Sequence, residues 1–541
     1  MRRRLPSPKI WALYKTLLPI LILGASLVVA LSAHADGQPE SNGPFDIDRF
    51  QVDGNTVLRP SLVDSLLAGF TGKARDSKDI EAAIRALETA YHKRGYVLAK
   101  VVLLDQGTPP GVVHLSVIEP RIGKITISGN AFHNEANIRR SLPHFIEGAV
   151  LNTTDLSVDI RIANENPSKK ATPQLQVGGD VDSIDAAIQI ADEKSWSAGA
   201  VLDNSGVDAP GRTHVTVQYE YFNLWGLDHV LSLQYTTSTE HPSDVKVYGA
   251  GYHIPLYADG DSLDFYGSYS DVNSGSVSAG LVDLTVSGAG TVFGAHFTHN
   301  LPQLGLYNSQ LVAGFDRKAF RNVMNTEDQQ LGGDVTVDPL SLSYVGQWVF
   351  SAGNANVYLT AARNVPGGSQ GSDANFTTAR SGATPNYGLL RYGAGLARTV
   401  FRGWFVRLAV NGQATHDALV PGEQFGVGGA ASVRGLEERE LVGDGGITAT
   451  AEIYTPDLCV ILHNTRTHCN LLGFVDDGHL SLNDALSGEA SHEAVSSTGA
   501  GLRFTYGRTL SLQMDYGQVF STSDEILTGD RRLHALMAVT F

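Results

Sequence analysis

The chemistry this chain could perform is concentrated in a few short stretches. In residues 421–446, PGEQFGVGGAASVRGLEERELVGDGG, Arg434 stands between Val433 and Gly435, with glycines at 426, 428, 429, 435 and 443. A guanidinium is a rigid fork of donors that meets a carboxylate with two parallel hydrogen bonds. Pressed against a protein wall it loses hydration and needs such a partner. Phe474-Val475-Asp476-Asp477-Gly478 supplies one, because on a strand Phe474, Asp476 and Gly478 share a face. The alternative is a solvated surface arginine with no fixed partner. Glu438 and Glu440, close behind the arginine, are competing acids. Cys459 and Cys469 bracket His463 and His468. This set reads as a disulfide closing a short loop, as a Cys/His metal site whose spacing matches no established zinc pattern, or as free thiols.

Enzymatic readings meet concrete obstacles. His492-Glu493-Ala494-Val495-Ser496 opens like a zinc-protease helix but carries Ser496 where the second histidine belongs. Gly72-Lys73 lacks the upstream glycine of a phosphate-binding loop. Asp259-Gly260-Asp261 lacks the remaining ligands of a calcium loop and reads as a polar turn. No catalytic residue, cofactor or metal site is expected, and no energy source is visible.

The elements that position the arginine are strands. Both flanks of its segment read as strands, and a connection this long in a compact domain normally has a job of its own. Glycines let such a loop lie close against a surface. From about Ser195 to Phe541 short segments alternate apolar and polar residues. Val215, Val217, Tyr219 and Tyr221 oppose Thr216, Gln218 and Glu220. Leu231, Leu233 and Tyr235 oppose Ser232, Gln234 and Thr236, and Leu510, Leu512, Met514 and Tyr516 oppose Ser511, Gln513 and Asp515.

A soluble sandwich would alternate in the same way. Three features favour a membrane. The segments approach the ~9–11 residues of a tilted membrane strand, and aromatic residues cluster at segment ends, as in an interfacial girdle. The last segment places Leu533, Ala535, Met537, Val539 and Phe541 on one face. The expectation for 193–541 is a transmembrane antiparallel β-barrel of about sixteen strands. Gaps near 272–288, 321–335, 364–385 and 413–447 become extracellular loops. Short turns and both barrel termini face the periplasm, as does the cysteine pair, in the turn after a strand at 448–456.

The N-terminal third differs in kind. Arg2, Arg3, Arg4, Lys9 and Lys15 precede an apolar run from Leu17 to Leu31 and the small-residue site Ala33-His34-Ala35, which predicts a signal peptide over 1–35. An N-terminal anchor is the alternative, and the run falls short of the ~20 residues a spanning helix needs. Losing the five basic residues takes the formal charge from −16 to −21, which disfavours nucleic acid as a partner.

After a short linker over 36–44, residues 45–119 read as a β-α-α-β-β module. It has a strand over 47–52, a turn at Gly54-Asn55, a helix opened by Pro60 and a second helix N-capped at Ser77 and ended by Gly95. Ile80, Ile84, Leu87 and Tyr91 line one face of that helix, and strands at 96–104 and 112–118 follow. Residues 120–192 repeat the order. They show a strand at 122–128, a matching Gly129-Asn130 turn, helices near 134–142 and 154–164, and strands near 174–178 and 185–191.

Val433-Arg434-Gly435, the preceding Gly428-Gly429, and the Phe474 to Gly478 strand resemble the loop and strand signatures of two-partner secretion transporters. These are the TpsB haemolysin-activator group of the POTRA-plus-barrel superfamily. Leu436 stands where that family usually carries an aromatic residue. The resemblance implies two periplasmic POTRA-like modules, an outer-membrane barrel, and a 413–447 loop folded into the lumen and locked by Arg434 on Asp476. It further implies a large unfolded secreted exoprotein of adhesin or haemolysin type as client, taken up by strand addition and threaded as an extended chain, with folding outside as the drive. Outer-membrane lipid and the barrel assembly machinery are the other expected partners. A barrel insertase of the same superfamily is the main alternative, although insertases usually carry more modules. A passive porin or receptor is a third. Relatives often have an N-terminal plug helix. Here only Asp36 to Pro44 precede the first module, so the loop is expected to fill the lumen alone.

Overall fold

The computed structural model describes residues 44–541 apart from 105–110, 181, 208–210, 273–275, 280–283, 288, 322–323, 327–328, 332 and 524–527. The expected signal peptide over 1–35 and nearly all of the expected linker lie outside the described residues. The described chain forms two units that divide after Lys194.

The N-terminal unit holds two modules of one topology. The first comprises β1 (Phe45–Ile47), β2 (Arg49–Asp53), α1 (Pro60–Leu67), β3 (Gly72–Arg75), α2 (Ser77–His92), β4 (Lys100–Leu103) and β5 (Val112–Ile118). Pro60 begins α1 where a missing N–H costs nothing. The cap of α2 is Asp76 rather than Ser77. Its carboxylate accepts from Lys78 and Asp79 N–H, while the Asp79 carboxylate accepts from Asp76 N–H. Gly72 and Lys73 lie in β3, a strand the alternation did not signal, which pairs with β1. The main sheet runs β2-β5-β4, with β2 parallel and β4 antiparallel to β5.

The second module repeats this with β6 (Arg121–Ser128), α3 (Glu135–Arg140), α4 (Thr153–Ala163), β7 (Lys169–Val177) and β8 (Ser183–Asp192), in sheet order β6-β8-β7. The repeat extends to single atoms. Gly54 and Gly129 adopt φ of +79° and +84°, and a Cβ on either would lie 2.3 Å from the carbonyl oxygen of Val117 or Ile190. Asn55 and Asn130 each donate a side-chain hydrogen bond to the carbonyl three residues on. A carboxylate from the end of the central strand then caps the turn. Glu119 accepts from Thr56 and Val57 N–H, and Asp192 accepts from Ala131, Phe132 and His133 N–H. Each module buries its own apolar core, around Leu87, Tyr91 and Leu115 in the first and around Ile138, Ile188 and Ile190 in the second.

The C-terminal unit is a closed barrel. It opens with β9 (Trp196–Asp203), β10 (His214–Leu224), β11 (His229–Ser238), β12 (Val245–Leu256) and β13 (Asp261–Val272). A hairpin of β14 (Ser276–Ala279) and β15 (Leu284–Ser287) precedes β16 (Ala289–Asn300) and β17 (Tyr307–Arg321). A second hairpin, β18 (Met324–Thr326) with β19 (Gln329–Leu331), leads to β20 (Val335–Val337) and β21 (Pro339–Phe350). Both β20 and β21 pair with β17 with only Asp338 between them, so they form one wall strand. Then come β22 (Gly353–Asn364), α5 (Asp373–Ala379), β23 (Gly388–Thr399) and β24 (Phe405–Ala414).

The short strands β25 (Phe425–Val427) and β26 (Leu441–Gly443) pair only with each other. The wall resumes with β27 (Gly445–Tyr454), β28 (Thr467–Ser481), β29 (His492–Tyr506), β30 (Leu510–Thr522) and β31 (Arg531–Thr540). Closure is antiparallel between β31 and β9, from Leu536 opposite Asp203 to Thr540 opposite Gly199. The wall thus has the sixteen strands expected, all antiparallel.

Alternation along these strands sorts side chains between two environments. Val217, Tyr219, Leu233, Leu533 and Met537 stand exposed on the outer face, whereas Gln234, Thr236 and Asp515 are buried on the inner one. A soluble protein rarely leaves so much apolar surface uncovered, while a bilayer covers it. Cys459, in the 3-10 turn after β27, is joined to Cys469, with Cα atoms 5.1 Å apart; Cys469 lies near the start of β28 rather than in the turn itself. The strand before that turn is 445–454 rather than 448–456. His468 is taken by Asp457, Nδ1 to Oδ2 2.7 Å, and the same carboxylate accepts from the Cys459 and Cys469 N–H groups.

Candidate functional site

Strand β24 runs toward the barrel end remote from the chain's entry at Trp196, and the connection from Thr415 to Asp444 leaves from that end. It then turns back inside. Its first half contains a single 3-10 turn, Pro421–Glu423, and β25 and β26 form a ribbon that carries the tip over 428–440. Gly428, Gly429 and Gly435 have φ of +115°, +97° and +109°, conformations closed to most side chains.

The wall is shaped to receive the tip. A Cβ on Gly517 would lie 2.6 Å from the Arg434 carbonyl carbon, and one on Gly478 would lie 2.7 Å from a Val427 methyl and 3.1 Å from a Val433 methyl. Around these contacts Val427, Val433 and Leu436 pack with Leu480, Val495 and Val519 from β28, β29 and β30. Leu436 is 1% exposed, so this aliphatic side chain is itself part of the seat.

Arg434 is 2% exposed and is the largest fully buried side chain among the described residues. Its Nε donates to Asp476 Oδ2 and its Nη2 to Asp476 Oδ1, both at 2.8 Å, and its backbone N–H reaches the same Oδ2 at 3.1 Å. Nη1 donates to Glu452 Oε1 at 2.8 Å and stands 3.6 Å from Asp515 Oδ2. The guanidinium carbon lies 3.5 Å from the centroid of the Phe474 ring, a cation over a π face. Gly435 N–H donates to His534 Nε2 at 3.3 Å.

Asp476 faces inward with Phe474, opposite the exposed Val475 on the alternating β28, and the register of β27 to β30 brings Glu452 and Asp515 to the same patch. These wall acids have further partners. Glu452 Oε2 accepts from Arg407 at 3.0 Å and from the Tyr454 hydroxyl at 2.8 Å. Asp515 accepts two bonds from Arg503, at 2.6 and 2.7 Å. Three carboxylates therefore face three guanidiniums, and the loop supplies one of the three. Withdrawing it leaves the wall with an uncompensated negative charge.

The structure thus brings Arg434, Asp476, Phe474, Val433 and the four motif glycines 428, 429, 435 and 478 together. It places Glu438 and Glu440 elsewhere, Glu438 accepting from Ala430 N–H and Glu440 from Glu437 N–H. Glu452, Asp515, Arg407, Arg503 and Gly517 were not singled out from the sequence. A signal existed for two of them: Asp515 and Glu452 are charges set mid-strand on the polar side of an alternating run.

The other motifs find structural settings. His492 and Glu493 begin a strand, not a helix. Asp261 accepts from His299 and from Asn300 N–H. Among the described residues no group of three or more His, Cys, Asp or Glu is arranged to hold a metal ion. His133 stands between Ser168 Oγ at 3.3 Å and Asp192 Oδ2 at 3.4 Å. All three groups are buried in the second module, where they bridge the capped turn to the start of β7.

Known proteins share this architecture. The model of the haemolysin secretion/activation protein ShlB/FhaC/HecB matches residues 182–504, and that of the ShlB-type POTRA domain matches residues 45–120. The outer membrane transporter CdiB of Escherichia coli O6:K15:H31 (strain 536 / UPEC) is 25% identical over 427 residues, spanning 75% of this chain and 68% of CdiB. The hemolysin transporter protein ShlB of Serratia marcescens is 29% identical over 230 residues, 41% of this chain and 39% of ShlB. A solved structure of CdiB from Escherichia coli superposes with a TM-score of 0.75 at 19% identity, covering 95% of this chain and 93% of that one. With a sixteen-stranded wall, an inward loop and a POTRA-type first module, this chain belongs to the ShlB/FhaC/HecB haemolysin secretion/activation family, the TpsB transporters of the outer membrane, whose POTRA domains lie in the periplasm.

Proposed function

We propose that this transporter exports one large secreted exoprotein of adhesin or haemolysin type, passing it through the barrel as an extended chain. The loop between Thr415 and Asp444 stoppers the lumen at rest, and Arg434 on Asp476 is its lock. The observation that carries this reading is the burial of the Arg434 guanidinium among Asp476, Glu452 and Asp515, deep in a lumen that a barrel of this size otherwise leaves open to water. An arginine is placed in such a setting at high desolvation cost, and only full pairing offsets it.

Client capture falls to the modules. Each sheet ends in an edge strand, β4 in the first and β7 in the second, with Val102, Leu103, Leu175 and Val177 exposed along them. An unpaired edge takes up an extended segment through main-chain hydrogen bonds with little demand on its sequence. The nine-residue β7 offers more of these than the four-residue β4. The chain has no phosphate-binding loop, so folding of the client outside supplies the drive. Outer-membrane lipid covers the apolar outer face, and the barrel assembly machinery inserts the chain through its closing strand.

The test is export of an adhesin-type exoprotein from cells that make wild-type, Arg434→Ala or Asp476→Ala protein. Both variants should retain the client in the periplasm while the barrel still runs as a heat-modifiable, inserted species. Export at the wild-type level by Arg434→Ala overturns the lock. Export of a client fused to a stably folded domain overturns passage as an extended chain.

A further inference from the structure

The loop is tied to the barrel at a second place, with the charges reversed. Glu423, in the 3-10 turn of the loop's first half, is 1% exposed. Its Oε1 is 2.7 Å from Lys318 Nζ on β17, and its Oε2 is 3.0 Å from Arg391 Nη2 on β23. Arg391 Nε donates to Gln413 Oε1, and Gln413 Nε2 donates in turn to the carbonyls of Glu423 and Asp444, so both ends of the loop hang on one wall amide.

Asp444, at the loop's far end, is fully buried. It accepts from Leu419, Asn483 and Gln424 and pairs with Arg380, just past α5 in the neighbouring loop. Beneath these contacts Leu419 and Val420 pack with Phe320, Phe376, Tyr387 and Leu389.

We infer that the loop is built in two parts, a stem that stays seated during transport and a tip that comes away, with Glu423 as the residue that positions the stem. This rests on the loop being the stopper. The physical argument compares what each release exposes. Lifting the tip removes one guanidinium from a wall that keeps Arg407 and Arg503 beside its acids, so that water admitted to the lumen solvates the charges, and it uncovers Val433 and Leu436 of the smaller of the two apolar clusters. Lifting the stem separates Glu423 from two cations, separates Asp444 from Arg380, and exposes the apolar seat of Leu419 and Val420, which water does not compensate. Opposite polarity adds selectivity. A client segment rich in one charge sign competes with the wall for Arg434 or for Glu423, never for both.

Two cysteine pairs test this in the full-length protein. Phe320→Cys with Gly422→Cys ties the stem to the wall, since a Gly422 Cβ points into the Phe320 ring. Val433→Cys with Gly478→Cys ties the tip, since those side chains would meet. Each pair is bridged by a short bis-maleimide, and export is compared with the unbridged protein. The expected result is loss of export on bridging the tip and retention on bridging the stem. Loss of export on bridging the stem overturns the two-part loop. Retained export on bridging the tip overturns the stopper reading instead.

Single-channel recording tests Glu423 separately. Glu423→Gln should raise the steady open current of a fully inserted barrel, and Glu423→Asp should bring it back toward wild type. A Glu423→Gln current equal to wild type removes the positioning role.

Discussion

The periplasmic modules and the inward loop are both small elements, yet they are held by opposite means. In the modules the apolar cores are aliphatic and aromatic, and most of the buried charge caps turns, with Asp159 of α4 as an exception. Glu119 and Asp192 sit at the ends of central strands and cap backbone N–H groups. In the barrel, charge sits at the centre of the contact, with Arg434 among three acids and Glu423 between two cations, and the apolar clusters lie to the sides. Apolar burial cannot be undone without exposing the same surface to water. An ion cluster facing a lumen can be undone, because its charges recover hydration when water enters. On the proposed reading, the difference separates the contacts that persist during export from those that part.

The largest effect should come from the deep lock. With its partners buried, Arg434→Ala is expected to weaken loop docking by about 3–5 kcal/mol, since it leaves Asp476 and Glu452 short of a cation. The measurement is protease access to the 428–440 tip in inserted protein, read beside heat-modifiable mobility. Arg434→Lys should recover only part of the docking, because an ammonium cannot make the two-bond fork. Melting of the N-terminal modules should not change at all. If the barrel itself unfolds, the loop is structural rather than separable and the comparison breaks.

The converse variant sits in the first module. Leu115 is fully buried, and Leu115→Ala is expected to cost about 2–5 kcal/mol of that module's stability through lost burial and the cavity left behind. It should show as an earlier cooperative transition by circular dichroism, with tip protection unchanged.

Much of this contrast was legible in the residues. Strict alternation at 214–221 and 510–516 separates the lipid face from the lumen face in the sequence itself, because period two is a local property. The Gly54-Asn55 and Gly129-Asn130 turns announced the repeated module, since each glycine needs a positive φ beside a strand carbonyl. What stayed hidden is non-local. Glu452 and Asp515 reach Arg434 only through the register of β27 to β30, which no local pattern encodes. The short β3 is hidden because GKAR has no alternation to read, and Asp76 displaces Ser77 as cap because it has Asp79 three residues on to close the reciprocal box, where Ser77 would have Ile80.

A smaller effect sharpens the steric side of the lock. Gly517→Ala puts a methyl where the Arg434 carbonyl now lies, and is expected to cost about 1–3 kcal/mol of docking by overpacking. Tip protection should fall while all ion-pair residues remain. In the modules the matching test is Glu119→Gln, which keeps the shape but removes the charge that receives the Thr56 and Val57 N–H groups. About 1–2 kcal/mol of module stability should go with it. The two variants lose similar amounts, yet only the first should alter export.

The smallest effect is a dependence on pH that belongs to the modules alone. Asp159 of α4 accepts from His144 N–H at 2.7 Å and contacts His144 Nδ1 at 2.8 Å. Burial pushes the Asp159 carboxyl up, the bonds from His144 pull it only part of the way back, and it comes to rest at about 6. Burial opposes the His144 cation, but its hydrogen bond and charge contact with Asp159 win, so the imidazole is raised. Both groups therefore bind protons more tightly folded than unfolded. Their contribution is full only below the ordinary carboxylate range for Asp159 and below the ordinary imidazole range for His144. It is lost as pH rises, through about 6 for the carboxyl and above the ordinary imidazole range for His144. The second module should be most stable near the lower end of that window and lose on the order of 1–2 kcal/mol across it. Asp159→Asn should flatten the profile, because the amide cannot titrate and no longer raises His144. A profile that instead climbs with pH would mean that the pair folds as a fully ionised bridge, and that the second module, like the loop, is held by charge.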